Sequence, residues 1–274
     1  MIGDETMTVR RVSIAGLGTV GRAVAERIDA GLDGYQLGSV SARDVDRARA
    51  FTATLRGPAP VRPLAELADT ADVVVECLPA AAFREVAAPT LDRGLRLVVL
   101  SAGALLDNWD LVDLAARSGG KILVPSGAIL GLDALQAAAE DEIHSVRMTT
   151  HKPVASVIDA PYLADRRDEL EAATEPVKLF EGSARDAIVG FPANLNVAVA
   201  VSLAGVGPDR TGLDVWAVPG LERNTHRVEV SASSASFRFE IENVPSENPP
   251  TGRMTALSVI ALLRKLAAPL QIGT

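Results

Sequence analysis

The sequence predicts an α/β protein of two domains, and three observations support this prediction. A glycine-rich turn joins an apolar strand pattern to an amphipathic helix pattern near the N-terminus. Strand and helix patterns then alternate up to about residue 125, which is the order of a doubly wound parallel sheet. Beyond that point strand patterns follow one another with alternating polar and apolar residues, which indicates a second, α+β domain with a mostly antiparallel sheet.

The glycine-rich turn is Gly16-Leu-Gly-Thr-Val-Gly21, and in a strand–turn–helix context it predicts a dinucleotide-binding turn of the Rossmann type. Gly16 permits the tight turn, Gly18 lets the backbone approach a pyrophosphate, and Gly21 lets the helix pack on the strand. Thr19 and Val20 open the helix, whose N-terminal N–H groups face the phosphates. We therefore predict NAD or NADP contacts at these five residues, in preference to a turn without a ligand.

The predicted elements divide the chain into an NAD(P)-binding Rossmann domain over 1–125, a substrate and catalytic α+β domain over 126–250, and a C-terminal helix over 251–274. That helix pattern is apolar on nearly every side, so it is expected to be largely buried and to pack back on the Rossmann domain. Strands are predicted at 11–15, 35–40, 59–62, 71–76, 95–100, 121–124, 145–150, 177–180, 213–216, 226–231 and 236–242. Helices are predicted at 20–28, 44–53, 81–93, 110–118, 196–204 and 254–266.

Composition narrows the class of partner. The 274-residue chain has 27 basic and 35 acidic side chains and a formal net charge of −8 at pH 7. An acidic chain without a Lys/Arg cluster argues against nucleic acid and anionic membranes. Its single cysteine, Cys77, cannot form an intrachain disulfide and is expected to be a small buried hydrophobe. No apolar signal core or bilayer-length run is present, so we predict a cytoplasmic protein.

Small residues follow three of the predicted parallel strands, at the sheet edge where ligands bind. They are Pro79, the run that begins at Ser101, and the run from Pro125 to Ala128. These residues leave room for a nicotinamide and its ribose, and we predict a cofactor contact at Ser101. Each run alone is equally compatible with a tight turn between a strand and a helix.

The second predicted strand ends without the carboxylate that binds the adenosine ribose in NAD-selective proteins. It ends instead in Ser41-Ala-Arg43, followed by Asp44. Arg43 could pair with a 2′-phosphate, which would favour NADP. The alternative is that Arg43 is a solvated charge and Asp44 only a helix cap.

One histidine has a position suited to catalysis. His144 lies in a polar surface stretch, whereas His226 begins a strand of the second domain, and histidine is suited to proton transfer near neutral pH. We therefore expect His226 to ionise near neutrality. Asn224 could fix the local backbone, and Lys152 could meet a substrate carboxylate or could be a surface charge. No Cys/His metal spacing is present in the sequence.

Nine short motifs are spread along the chain: Gly16-Leu-Gly-Thr-Val-Gly21, Leu100-Ser-Ala-Gly-Ala-Leu105, Val124-Pro-Ser-Gly-Ala-Ile129, Gly131-Leu-Asp-Ala-Leu135, Thr149-Thr-His-Lys-Pro153, Phe191-Pro-Ala-Asn-Leu-Asn-Val-Ala198, Asn224-Thr-His226, Glu242-Asn-Val-Pro-Ser246 and Asn248-Pro-Pro-Thr251. In these motifs the chain resembles the L-aspartate dehydrogenase family, and the resemblance runs from about residue 12 to 266. The resemblance implies a catalytic histidine at His226 and cofactor contacts at Ala128 and Asn196.

The reaction that the resemblance implies is NAD(P)-dependent oxidative deamination of L-aspartate to iminoaspartate, which hydrolyses to oxaloacetate and ammonia, or the reverse reductive amination. It also implies a homodimer and a link to NAD biosynthesis, with a dicarboxylic amino acid or oxo acid as the small-molecule partner. The alternatives are a related dehydrogenase acting on another amino or oxo acid, and a cofactor-binding protein without turnover.

The chain departs from the family pattern at three places. Val218 stands where family members carry an aspartate, so a carboxylate that could orient His226 or handle the substrate amine is missing. His151 replaces an arginine, and the run 231–236 replaces a glycine-containing turn. These changes bear on the identity of the substrate more than on the fold or the cofactor.

Overall fold

The computed structural model describes residues 9–191, 195–245 and 252–273. The chain forms two compact units: residues 1–125 with 259–271, and residues 126–258 with 272–274. No helix in the described ranges has the length and apolar character needed to cross a membrane.

The first unit contains a five-stranded parallel sheet with strand order β2-β1-β3-β4-β5. This confirms the predicted doubly wound α/β class. The strands are β1 (Arg10–Ala15), β2 (Tyr35–Ser41), β3 (Val73–Glu76), β4 (Arg96–Val99) and β5 (Lys121–Leu123). The helices are α1 (Thr19–Asp29), α2 (Val45–Thr52), α3 (Phe83–Asp92), α4 (Ala102–Asp107) and α5 (Asp110–Ser118), with 3₁₀ turns at Leu64–Thr70 and Ala80–Ala82.

The central strands of this sheet are apolar throughout because helices cover both faces. Val73, Val74 and Val75 of β3 are fully buried. The predicted strand at 59–62 is wrong, because this segment makes only one isolated parallel bridge, from Val61 to Val40. Pro60, within it, has no N–H to give to a ladder.

The second unit is built on a five-stranded sheet with strand order β10-β9-β6-β8-β7. All its pairs are antiparallel except β6 with β8, so the prediction of a mostly antiparallel sheet is confirmed. The strands are β6 (Ile143–Pro153), β7 (Val177–Ser183), β8 (Thr211–Val218), β9 (Asn224–Ala232) and β10 (Ser236–Asn243). The helices are α6 (Leu132–Ala139), α7 (Val154–Val157), α8 (Arg167–Ala172), α9 (Ala184–Gly190) and α10 (Asn196–Ala204), with a 3₁₀ turn at Pro161–Arg166.

The two faces of this sheet differ in polarity, because side chains alternate along each strand. On β6, Met148, Thr150 and Lys152 are buried on the core face. On the opposite face, Arg147 donates two hydrogen bonds to the carboxylate of Asp214, at 2.7 and 2.8 Å. On β6, the polar residues of the core face, Thr150 and Lys152, lie near the C-terminal end of the strand.

The register of β6 against β9 is regular over the part that carries those polar residues. It shifts once, between Ile143 and Ser145, which is the far end of the strand. The ladder then places Thr150 opposite His226. Because β6 also pairs with β8, Lys152 lies opposite Ala217.

The last helix, α11 (Met254–Ala267), begins in the second unit and belongs to the first unit from Val259 onward. The guanidinium of Arg10 in β1 donates to the Leu266 carbonyl at 2.9 Å, which confirms the predicted return to the first domain. The expectation that this helix is largely buried is wrong. Only one stripe is covered, and Leu257 remains 55% exposed.

Candidate active site

The glycine-rich turn has a shape that only glycine can form at two of its positions. Gly16 has a φ of +96°, and a Cβ there would lie 2.5 Å from the Cys77 carbonyl oxygen. A Cβ on Gly21 would lie 1.9 Å from the Gly16 carbonyl oxygen. Burial raises the pKa of the Cys77 thiol, so this neighbour of the turn is not poised as a thiolate. The strand, turn and helix are therefore packed as a dinucleotide-binding turn requires.

Gly18 is different, because a Cβ there would meet nothing within 4 Å. It is the N-cap of α1, no side chain caps the helix, and the first turn carries no acidic residue. The N–H groups at the start of a helix have no intrahelical partner and attract anions. The open space at Gly18 and the uncapped helix that begins with Thr19 and Val20 fit a pyrophosphate.

At the end of β2 the structure places basic side chains and no available acid among the described residues. Asp44 serves as the N-cap of α2 and accepts a hydrogen bond from the Arg47 N–H at 3.0 Å. Arg43 is exposed. Arg62 lies beside the same strand end, because its N–H donates to the Val40 carbonyl at 2.9 Å. Its guanidinium lies 3.6 Å from the Glu66 carboxylate, and among the described residues its buried Nε atom has no hydrogen-bond partner.

Ser101 occupies the predicted edge of the sheet, but its hydroxyl is already used inside the protein. Its Oγ atom lies 2.9 Å from Glu76 Oε1 and 2.7 Å from the Leu78 carbonyl oxygen. The fully buried Glu76 carboxylate also accepts from the N–H groups of Leu78, Leu100 and Ser101. Burial raises the pKa of Glu76, while these hydrogen bonds act in the opposite direction. The carboxylate thus ties together the loops that follow β3 and β4.

In the second unit, Thr150 and His226 form a buried pair. The Oγ1 atom of Thr150 lies 2.8 Å from Nδ1 of His226, which is 3% exposed. Burial, followed by the charges of Lys152 and His151, lowers the pKa of His226 from 6.5 to about 3. The expected ionisation of His226 near neutrality is therefore wrong for the protein without ligand, because a buried imidazole beside a cation resists a second positive charge.

Lys152 is a buried cation on the same face of the sheet. Its side chain is 4% exposed, so the interpretation as a surface charge is wrong. Within residues 9–191, 195–245 and 252–273 it has no hydrogen bond or ion pair. Burial alone lowers its pKa from 10.5 to about 8, so most of it is protonated at neutral pH. A buried ammonium without a counter-ion is suited to an anionic ligand.

Two asparagines on neighbouring strands add polar atoms to this face. Asn224 of β9 and Asn243 of β10 are paired in the ladder, and Asn243 is 2% exposed. The Nδ2 atom of Asn243 donates to the Ala128 carbonyl at 2.9 Å, in the loop after β5. The Oδ1 atoms of both asparagines are buried and accept no hydrogen bond from the part of the chain that the structure describes.

The missing family acid does not fall on this face. Val218 lies opposite Pro153, one position beyond the pair formed by Lys152 and Ala217. By the alternation of the strand, its side chain belongs to the other face of the sheet. Thr150, rather than a residue at position 218, contacts the imidazole of His226.

Most of the predicted residues of the second unit fall into one group on the sheet. His226, Lys152 and Asn224 lie on the core face of the sheet, and Ala128 joins them through Asn243. Asn196 is the first residue of α10. The family-motif segments 192–194 and 246–251 lie outside the described residues.

Sequence reasoning missed Glu76, Thr150 and Asn243. Glu76 ends a continuous apolar strand pattern, which is the one available signal that its carboxylate is buried. Thr150 and Asn243 lie inside motifs that carry the family resemblance, but their contacts depend on strand pairing. The sequence offers no direct sign of that register.

In the part of the chain that the structure describes, no group of three His, Cys, Asp or Glu side chains could hold a metal ion. The site instead brings together the neutral imidazole of His226 and the protonated amine of Lys152. This arrangement is suited to moving protons on an anionic substrate, with redox chemistry supplied by a cofactor.

Comparisons with known proteins agree with these features. Residues 16–125 match the family described as homoserine dehydrogenase, NAD binding domain, and residues 133–266 match aspartate dehydrogenase, C-terminal. The chain is 53% identical over 272 residues to an L-aspartate dehydrogenase from Bradyrhizobium diazoefficiens, covering 99% of this chain and 97% of that protein. It is 53% identical over 264 residues to L-aspartate dehydrogenase 3 of Bordetella bronchiseptica, covering 96% and 97%.

A solved structure shows the same fold. The crystal structure of aspartate dehydrogenase from Thermotoga maritima superposes with a TM-score of 0.72 at 24% identity, covering 96% of this chain and 99% of that one. The Rossmann sheet, the open phosphate turn and these matches define an NAD(P)-dependent dehydrogenase. Within that class, the chain belongs to the L-aspartate dehydrogenase family, as the sequence motifs predicted.

Proposed function

We propose that this chain oxidatively deaminates L-aspartate to iminoaspartate, which hydrolyses to oxaloacetate and ammonia, or catalyses the reverse reductive amination. The observation that carries the proposal is the buried Lys152 ammonium, which has no partner among the described residues and lies on the same sheet face as the buried His226. A dicarboxylate brings negative charge to that cation. The identity to relatives named L-aspartate dehydrogenase supports the choice of substrate.

His226 is the proposed acid–base group. Its low pKa keeps the imidazole neutral at physiological pH, so that it carries no second proton before the substrate binds. In the tautomer that we propose, Nδ1–H donates to Thr150 Oγ1, which leaves the Nε2 lone pair facing the substrate. His226 removes a proton from the substrate ammonium, so that the amine nitrogen can supply electrons as the Cα–H bond breaks.

Lys152 is the proposed anchor for a substrate carboxylate. Its desolvated ammonium would gain a charge-assisted hydrogen bond, which is shorter and stronger than a neutral one. Binding of an anion would also raise the pKa of Lys152 back toward its usual value. The same negative charge would raise the pKa of His226 and help it hold the proton that it accepts.

Bound NAD(P) supplies the hydride acceptor for this oxidation. We assign the pyrophosphate to Gly16, Gly18 and Gly21 with the N–H groups of Thr19 and Val20. Ala128 and Asn196 are proposed cofactor contacts by analogy with the family. Ser101 is proposed to shape the cofactor edge through its bonds to Glu76 rather than as a hydroxyl donor.

We propose that NADP is accepted at least as well as NAD. The carboxylate of Asp44 is engaged as a helix cap, so it does not repel a 2′-phosphate as a ribose-binding acid would. Arg43, which is exposed at this strand end, would supply the positive charge, because the guanidinium of Arg62 beside it is already paired with Glu66.

The cellular setting is also a proposal. A single free cysteine suits the reducing cytoplasm, and iminoaspartate as product suits a role in NAD biosynthesis. A homodimer is proposed from the family resemblance, and light scattering on the purified chain tests it.

The test of the activity is a substrate panel. The purified chain is assayed with amino acids and NAD or NADP, and with oxo acids, ammonia and reduced cofactor, by nicotinamide absorbance. We expect the highest kcat/KM with L-aspartate or with oxaloacetate plus ammonia. A higher value with another amino or oxo acid would favour the related dehydrogenase, and cofactor binding with no turnover on any substrate would favour the non-catalytic protein.

A further inference from the structure

Two carbonyl oxygens near His226 lack hydrogen-bond donors. The Oδ1 atoms of Asn224 and Asn243 are closed off from solvent, and neither accepts a hydrogen bond from residues 9–191, 195–245 or 252–273. Buried acceptors are nearly always paired in folded proteins, because an unpaired one loses its water without compensation. Two such atoms on residues that face each other in one ladder therefore call for a shared explanation.

The position of the two oxygens relates them to the proposed reaction. Asn224 precedes His226 by two residues on β9, so both side chains lie on the same face of the sheet. Directly opposed residues on neighbouring strands have Cβ atoms about 4.5–5.5 Å apart, which lets two side chains reach one ligand atom. The pair thus stands beside the proposed acid–base group.

The amide of Asn243 is held in one orientation. Its Nδ2 atom donates to the Ala128 carbonyl at 2.9 Å, so its Oδ1 atom is the end left without a partner. A side chain at the facing position would crowd this oxygen, because a Cβ on Gly252 would lie 3.2 Å from it. The acceptor is therefore fixed in direction and has a glycine beside it.

We propose that Asn224 and Asn243 recognise the α-amino group of the substrate, with each Oδ1 atom accepting one N–H as the ligand binds. This inference rests on the proposed function and adds to it the residues that select an amine. An amine or iminium nitrogen carries at least two N–H donors, one for each of the two Oδ1 acceptors. A hydroxyl carries one donor and a methylene carries none.

The experiment compares two dicarboxylates that differ in the amino group, L-aspartate and succinate. Their dissociation constants are measured by calorimetry with NADH present, because the reduced cofactor cannot accept a hydride and no turnover occurs. In Asn224→Leu and Asn243→Leu we expect aspartate to bind about 5- to 100-fold more weakly and succinate to change by less than about twofold. Asn224→Asp keeps the acceptor, and aspartate affinity should remain at least at the wild-type level.

Two controls separate this role from others. Thr225→Val changes the residue between Asn224 and His226 on the opposite face, and it should leave both ligands unaffected. Lys152→Met should weaken aspartate and succinate together, because both carry carboxylates. Circular dichroism and thermal melts confirm that each variant is folded, and the Asn224 variants decide the matter if Asn243→Leu does not fold.

The outcomes are distinct. Equal losses for both ligands, or no loss for either, in folded Asn224→Leu overturn the amine assignment and leave the proposed function standing. If the two asparagines satisfy each other through a flipped amide, Asn224→Leu lowers the melting temperature without changing the ratio of the two affinities, and the assignment is overturned. A wild-type chain that binds neither dicarboxylate overturns the proposed function and this inference with it.

Discussion

The Oγ1 atom of Thr150 and the Nδ1 atom of His226 lie 2.8 Å apart between neighbouring strands of the second sheet, with both side chains buried. This contact fixes the imidazole ring by one nitrogen and leaves the other nitrogen for chemistry. The orientation of His226 therefore depends on β6 as well as on its own strand.

Removing the imidazole tests its catalytic role. We expect His226→Ala to lower kcat by about 10²- to 10⁴-fold, the usual contribution of general acid–base catalysis, with little change in cofactor affinity. Because burial lowers the pKa of His226 to about 3, the imidazole stays neutral between pH 7 and pH 5. Over this range, wild-type kcat/KM should therefore fall no more steeply than that of His226→Ala. Near wild-type turnover in folded His226→Ala would end the catalytic assignment.

Thr150→Val keeps the side-chain shape and removes the hydroxyl. We expect kcat to fall by about 10-fold, because the imidazole loses one hydrogen bond worth roughly 0.5–1.5 kcal/mol and its fixed orientation. Thr150→Ser restores a hydroxyl and should recover most of the activity. Steady-state rates with saturating aspartate measure the effect, and equal activity of the valine and serine variants would show that the hydroxyl is not needed.

Lys152 predicts how ligand binding depends on pH. Its pKa is lowered to about 8, so the affinity for succinate should fall as the pH rises above 8 and the ammonium loses its proton. Titration calorimetry at pH 7 and pH 9 measures this change, and Lys152→Met should bind weakly at both values. A wild-type affinity that does not change across this range would contradict the anchoring role.

The same lysine has a predicted effect on stability without ligand. The unfolded chain binds a proton at Lys152 up to about pH 10.5, whereas the folded chain releases it near pH 8. Since the unfolded state binds more protons between these values, the contribution of Lys152 to the free energy of unfolding rises with pH across that window. Denaturant unfolding of wild type and Lys152→Met at pH 7.5 and pH 10 isolates this contribution. The prediction is contradicted if the difference in the free energy of unfolding between the two proteins is the same at both pH values.

The glycine turn offers a matched pair of substitutions. Gly18→Val should fold normally, because a Cβ there meets nothing, and it should lose measurable NAD(P) binding, because the side chain fills the phosphate space. Gly21→Ala should instead destabilise the fold, because its Cβ would lie 1.9 Å from a carbonyl oxygen. Cofactor titration and thermal melts separate the two effects, and undiminished cofactor affinity in folded Gly18→Val would refute the assigned pyrophosphate site.

Arg43→Ala tests the choice of cofactor. We expect the Kd for NADP to rise by about 10- to 100-fold, the scale of a lost hydrogen bond between charged groups, while that for NAD changes little. Arg47→Ala removes an exposed arginine four positions further on and serves as the control. Equal losses for NAD and NADP would show that Arg43 does not contact the 2′-phosphate.

The sequence was sufficient to predict the order of strands and helices, because each element carries its own periodicity. The run Val73–Glu76 has the pattern of a strand that is buried on both faces, and the run Asn224–Ala232 alternates as a strand with one exposed face does. The segment 59–62 was misjudged because a short apolar stretch between prolines resembles a strand but cannot supply a ladder of N–H groups. The exposed Leu257 was missed because an all-apolar helix pattern does not say which side finds a partner.

The candidate site was predicted in part, for a physical reason. His226 and Lys152 are the residue types that chemistry requires, so motifs and side-chain properties pointed to them. The burial of Lys152, the contact from Thr150 and the unpaired oxygen of Asn243 all arise from the register of strands distant in sequence. The periodicity of one strand does not show which residue of another strand lies opposite it, so this register could not be predicted from the sequence.

The register shift between Ile143 and Ser145 affects where this sheet can accept insertions and deletions during evolution. It lies beside the turn that follows Ala232, six residues from His226 and so about 20 Å along the strand. A residue gained or lost in that turn can be absorbed by the irregular end, where no catalytic group stands. The turn at 231–236 can therefore change in length or composition without displacing the contact between Thr150 and His226 at the opposite end of the sheet.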